Sequence, residues 1–154
     1  MTRRITVRAI ALHNGKLFAV RQKHYNGTVI SVADNWCLPG GGLEDGEGLL
    51  NGAAREIIEE TGVKPVIGNL LYIHQFTFNG IDYLEFFFHV VNGEDYLNVD
   101  LSKTTHGLTE IAEAAFVDPA TTPLLPKFLM SEQLVQKASS QSPPTMYSYL
   151  ENNH

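Results

Sequence analysis

Glu56, Glu59 and Glu60 stand at i, i+3 and i+4 in the run Arg55-Glu56-Ile57-Ile58-Glu59-Glu60-Thr61-Gly62-Val63. On a helix, side chains at that spacing leave from one face and can converge on a common point. Carboxylates held so close repel one another, and a hard divalent cation between them relieves the repulsion. Oxygen-only ligation with room for water suits Mg²⁺, with Mn²⁺ able to replace it. The element that must carry these acids is a helix with Ala53, Ala54, Ile57 and Ile58 on its apolar side. Gly62 is the residue expected just past its last turn.

Ahead of the helix, Trp36-Cys37-Leu38-Pro39-Gly40-Gly41-Gly42-Leu43-Glu44-Asp45-Gly46-Glu47 is dense in glycine. Such a loop brings its main chain close to phosphate oxygens or a metal ion, because few side chains stand in the way. Joined to a carboxylate-bearing helix, it suits a metal-bridged diphosphate better than a bare anion, which the acids would repel. A simpler reading is a solvated helix face with an Arg55–Glu59 pair, worth about 0.2–0.5 kcal/mol. That reading accounts for the acids but not for the glycine loop, Glu47 and Gly62 falling at fixed distances from them.

The stretch 41–63 resembles the signature of the Nudix hydrolases, G-x5-E-x7-R-E-U-x-E-E-x-G-U with U a bulky aliphatic residue. Gly41, Glu47, Arg55, Glu56, Ile57, Glu59, Glu60, Gly62 and Val63 fill every fixed position. The flanking Trp36, Pro39 and Gly40 extend the likeness. The resemblance implies an α/β protein, a Nudix-like α/β/α sandwich with a mixed β-sheet. It implies a Mg²⁺-dependent hydrolase that cleaves a diphosphate linkage in a nucleoside diphosphate derivative. Glu56, Glu59, Glu60 and the Gly40 carbonyl match the metal ligands, and Glu47 and Arg55 match the positions that hold loop and helix in register. The general base is a box glutamate or an acid from a later loop, here Glu110 ahead of Glu113.

A chain of 154 residues with 44% hydrophobic residues is expected to form one domain with a sizeable core. A formal net charge of −6 argues against a nucleic-acid polymer as partner, since that affinity comes from excess Lys and Arg, and leaves a small-molecule nucleotide as substrate. The lone Cys37 excludes an intramolecular disulfide and fits a reducing cytoplasm. The N-terminus has an alternating strand pattern in place of a signal peptide's apolar region, and no run is long enough for a membrane span.

Around the box, alternation over Ile5, Val7, Ala9 and Ala11 predicts a first strand covered on both faces. Asn14-Gly15 predicts a hairpin into Leu17-Phe18-Ala19-Val20-Arg21, followed by a loop over 22–35. Asn79-Gly80 predicts a hairpin between strands over 66–78 and 81–91, with Tyr72, His74 and Phe76 on one face and Glu85 and Phe87 on one face of the partner. A short strand is expected over 114–117, then a helix over 127–138. The domain is expected over 1–138 and a mobile tail over 139–154, whose Tyr147, Tyr149 and Leu150 could dock on this chain or in a homodimer. Cationic substrate contacts are expected from Arg8, Arg21 and Lys23. A nucleoside triphosphate pyrophosphohydrolase is the default, with ADP-ribose, nucleotide sugars and dinucleoside polyphosphates as alternatives. From other classes, a non-catalytic nucleotide-binding module and a diphosphate-dependent isomerase compete.

Overall fold

The computed structural model describes residues 2–27 and 29–149. Strands β1 (Thr2–His13), β2 (Lys16–Asn26), β3 (Val29–Val32) and β4 (Gly40–Gly42) precede helix α1 (Leu49–Thr61). Strands β5 (Ile67–Phe78) and β6 (Ile81–Val90), a short helix α2 (Gly107–Glu110), β7 (Ile111–Val117), α3 (Leu134–Ser139) and β8 (Thr145–Tyr149) complete the order. The main sheet runs β3-β2-β1-β6-β5-β8, with β4 paired to β1 and β7 to β2. β1 lies antiparallel to β2 and β4 and parallel to β6, so the sheet is mixed, as expected.

Both expected hairpins form for the expected reason. Asn14 and Gly15 adopt φ of 49° and 75°, and Asn79 and Gly80 adopt 49° and 74°. Positive φ at both central residues is the tight turn whose twist matches that of the strands it joins. β1 is buried on both faces. Val7, Ala9 and Ala11 pack with Ala53 and Ile57 of α1, while Ile10 packs on the other side with Leu38, Tyr72, Phe128 and Leu129. Helical segments therefore cover the sheet from both faces, the α/β/α arrangement. No helix among the described residues is long and apolar enough to cross a membrane.

Four expectations are corrected. In the first, the segment 22–35 is not a plain loop: β2 continues to Asn26 and pairs with β3, whose Val29, Ile30 and Val32 are exposed and so gave no alternation to read. The second concerns the helix over 127–138, which is two pieces, a 3₁₀ turn at Lys127–Met130 and α3. Third, the apolar side of α1 is turned: Ala53, Ile57, Glu60 and Thr61 are buried and Ile58 is 40% exposed. Glu60 thus shares the core-facing stripe with Ile57. Finally, within the expected tail, β8 adds to the sheet edge beside β5, with Tyr147 stacked on Phe128 at 4.3 Å between centroids. Docking is on the chain itself for Tyr147 and Tyr149, and Leu150 lies outside the described residues.

Candidate active site

The glycine loop reaches the sheet as β4, with Arg8 opposite Gly40, Val7 opposite Gly41 and Thr6 opposite Gly42. α1 then crosses over it and ends at Gly62, whose φ of 74° and N–H to the Ile58 carbonyl at 2.8 Å close the last turn. Arg55 ties loop to helix. Its Nε and Nη2 each donate to a different oxygen of Glu47 at 2.8 Å, Nη2 also donates to the Gly42 carbonyl at 3.1 Å, and Nη1 reaches Glu56 at 3.0 Å and Glu59 at 3.3 Å. A planar fork with five donors is the side chain that can hold so many acceptors at once.

The Arg55 hydrogen bonds hold the Glu47 carboxyl at about 2, below the ordinary carboxylate range. A depressed folded value means that stabilisation is complete above the unfolded value of about 4.3 and is lost as pH falls through the folded one. In acid denaturation followed by urea midpoints, the wild type is expected to lose more stability from about pH 4.5 to pH 2 than Glu47→Gln does. Equal losses would show that the pair contributes nothing there.

Above this scaffold a cavity of about 360 Å³ is lined by Arg4, Thr6 and Arg8 of β1, Gln22 of β2, Gly40, Gly41 and Gly42 of β4, Glu56 and Glu60 of α1, Tyr83 of β6 and Glu110 of α2. Glu60 is 4% exposed and accepts the Gly40 N–H at 3.1 Å. Burial pushes its carboxyl up to about 7, against the pull of Arg8 and the Gly40 amide, and the negative charges of Glu56 and Glu110 push the same way as burial. Glu59 lies outside this lining, its Oε2 3.3 Å from Arg55 and 3.4 Å from His106 Nδ1. Among the described residues no three His, Cys, Asp or Glu side chains are gathered as a metal-holding group. The three box acids therefore do not converge as placed, because Glu56 and Glu59 turn to the nearest cationic partner. The donor set still fits a hard divalent ion. Glu56, Glu60 and Glu110 face one cavity with oxygen donors alone, and a cation there removes the repulsion that Glu60 bears.

Of the three expected cationic contacts, only Arg8 lines the cavity. Arg21 is spent elsewhere: it donates to the Ala33 carbonyl at 2.9 Å, pairs with Glu113 at 3.2 Å and sits 5.8 Å over the Trp36 ring. Lys23 donates to the Leu108 carbonyl. Both side chains follow the nearest acceptors, which Ala33, Leu108 and Glu113 supply. Glu113, held by Arg21, is likewise outside the lining, whereas Glu110 is part of it. Arg4 is the residue the sequence reading missed. The signal was present, since residues 4, 6 and 8 of one strand share a face. Cys37 is partly buried, and burial pushes its thiol up to about 11, which makes it a poor nucleophile.

The family model described as the NUDIX domain matches residues 2–135. Diphosphoinositol polyphosphate phosphohydrolase 2 of Rattus norvegicus is 50% identical over 42 residues, 27% of this chain and 24% of the relative. A MutT-like protein of Streptomyces ambofaciens is 38% identical over 77 residues, 50% of this chain and 45% of the relative. The chain thus spans less than half the length of these curated relatives. The crystal structure of a MutT NUDIX hydrolase from Burkholderia pseudomallei superposes with a TM-score of 0.69 at 16% identity, over 86% of this chain and 99% of that one, a likeness of fold. Since the matched span of 2–135 takes in most of the chain and every residue that lines the cavity, from Arg4 to Glu110, the chain belongs to the Nudix family.

Proposed function

We propose that this protein is a Mg²⁺-dependent hydrolase that uses water to cleave a nucleoside triphosphate into the nucleoside monophosphate and pyrophosphate. The observation that carries the reading is one cavity in which Glu56, Glu60 and Glu110 stand together with Arg4 and Arg8. Acids alone would repel a polyphosphate, and arginines alone would hold one without cleaving it. Glu56 and Glu60, joined by Glu59 once it turns from Arg55 and His106, and by the Gly40 carbonyl that the box likeness supplies, would hold the metal. When bound, Mg²⁺ neutralises diphosphate charge and makes a coordinated water more acidic. Glu110, facing the same space from α2, is the base that takes the proton of the attacking water.

Arg4 and Arg8 lie four positions apart on one strand, about 13 Å between their Cα atoms. Two guanidinium groups spread along one wall suit a chain of phosphates longer than the pair in ADP-ribose or a nucleotide sugar. The test is a Mg²⁺-dependent turnover screen over nucleoside triphosphates, ADP-ribose, nucleotide sugars and dinucleoside polyphosphates, run on the wild type and Arg4→Ala. Triphosphates are expected to be the best substrates, with Arg4→Ala lowering their kcat/KM at least about tenfold and that of ADP-ribose by less than about threefold. Preference for ADP-ribose or a nucleotide sugar would overturn the substrate assignment. Nucleotide binding without turnover of any compound would overturn the hydrolase and leave a binding module.

A further inference from the structure

Arg8 owes its position to a buried acid that the proposed chemistry leaves unused. Glu85 sits on β6, opposite Thr6 in the parallel β1–β6 ladder, and is 6% exposed. Its Oε2 accepts from Thr6 Oγ1 at 3.1 Å and from Arg8 Nε at 3.2 Å, and its Oε1 lies 3.0 Å from His74 Nδ1. Arg8 Nη1 donates to the Leu38 carbonyl at 3.3 Å. The His74 ring is itself fixed, stacked on Phe76 at 4.6 Å and edge-on to Phe128 at 5.5 Å. Burying an ionised carboxylate is costly, and well-packed apolar residues would serve a sheet core at least as well. Burial works against the charged form of Glu85, but the His74 hydrogen bond and the Arg8 charge prevail and hold its carboxyl low.

With Nε and Nη1 engaged by the protein, the guanidinium is clamped in plane and in rotation. Arg8 lines the cavity, and its Nη2 hydrogens and the second Nη1 hydrogen are the donors that neither Glu85 nor the Leu38 carbonyl takes. We infer that Glu85 is a positioning residue for substrate: by gripping Arg8 from beneath, with Thr6 and His74 fixing its own carboxylate, it aims the Arg8 guanidinium at the phosphate chain. The inference rests on the reading of this cavity as a polyphosphate site. A fixed guanidinium binds without losing side-chain freedom, so its orientation is expressed as affinity.

The experiment is calorimetric titration of a non-hydrolysable nucleoside triphosphate analogue with MgCl₂ into the wild type, Glu85→Gln, Arg8→Ala and the double variant. Glu85→Gln is expected to weaken binding about tenfold in the wild-type background and less than about twofold in the Arg8→Ala background. Equal weakening in both backgrounds would show that Glu85 acts on the fold and not through Arg8, and no weakening would remove any role. Should Glu85→Gln fail to fold, Glu85→Asp keeps the buried charge and shortens its reach. It is expected to weaken binding about threefold, again only where Arg8 is present. Unchanged affinity in that variant would overturn the inference. Because the readout is binding, a wild type that binds without turnover tests Glu85 even as the hydrolase reading falls. A wild type that does not bind the analogue takes both down.

Discussion

Glu60→Gln is expected to lower turnover of the preferred nucleotide at least about a hundredfold and to leave the melting temperature unchanged or higher. The two effects have separate physical causes. A glutamine side chain has the shape of glutamate, and its amide oxygen can still accept the Gly40 N–H that Glu60 accepts at 3.1 Å, so packing and hydrogen bonding survive. What is lost is a negative charge buried among Glu56 and Glu110, a charge the fold tolerates at a cost and a metal ion requires. The Mg²⁺ concentration for half-maximal rate should rise with the loss of turnover. Initial rates over a Mg²⁺ series, set beside a thermal melt, check both. Turnover within about threefold of the wild type would remove Glu60 from the machinery. Glu59→Gln is expected to lower turnover as well, since Glu59 must leave Arg55 and His106 to take part. Its melting temperature should fall slightly because Arg55 and His106 lose the negative charge that they face.

The extent to which this site could be read in the sequence follows from how local each signal is. The Arg55–Glu47 tie spans eight positions and the Gly62 cap closes its own helix, so both are set by local spacing. Glu60's burial is not, because it depends on how α1 rolls on the sheet. A roll that exposes Ile58 and buries Glu60 is decided by the close approach of β4, which the spacing of apolar residues does not report. Arg21 and Lys23 were misplaced for a like reason. A basic residue in a first hairpin has many possible partners, and here the acceptors come from residues 33, 108 and 113. Arg4 was legible in principle from the alternation that also placed Val7 and Ala9. β8 was hidden within the segment 139–154 expected as a mobile tail, although Tyr147 and Tyr149 carried enough apolar surface to signal burial. The fold class was the most legible feature, because two Asn-Gly turns and a two-sided first strand are stated locally and leave few topologies open.

Two neighbouring glycines should separate fold from chemistry, and the contrast between Gly40→Ala and Gly41→Ala is the sharpest outcome expected of this loop. At Gly40 the backbone has φ of 145°, and a Cβ would lie 1.9 Å from the Val7 carbonyl oxygen and 2.9 Å from its carbon. Those atoms cannot retreat, because Val7 is fully buried in β1 and the Ala9 N–H is held by the Pro39 carbonyl at 2.9 Å. Gly40→Ala is therefore expected to cost about 3 kcal/mol or more of stability in urea denaturation, with low soluble yield. At Gly41 the atoms in the way belong to a side-chain tip: a Cβ would meet Glu56 Oε2 at 2.4 Å and Cδ at 2.6 Å. That carboxylate can swing aside, so Gly41→Ala should keep stability within about 1 kcal/mol. It should nevertheless lower turnover about tenfold or more, since Glu56 can no longer stand over the loop beside Glu60. A Gly41→Ala protein with wild-type turnover would show that Glu56 does its work from another position. A Gly40→Ala protein as stable as the wild type would mean that β4 does not press on β1 as closely as described. The triple glycine thus gives two kinds of room at adjacent positions, at Gly40 for the approach of two backbones and at Gly41 for the Glu56 carboxylate.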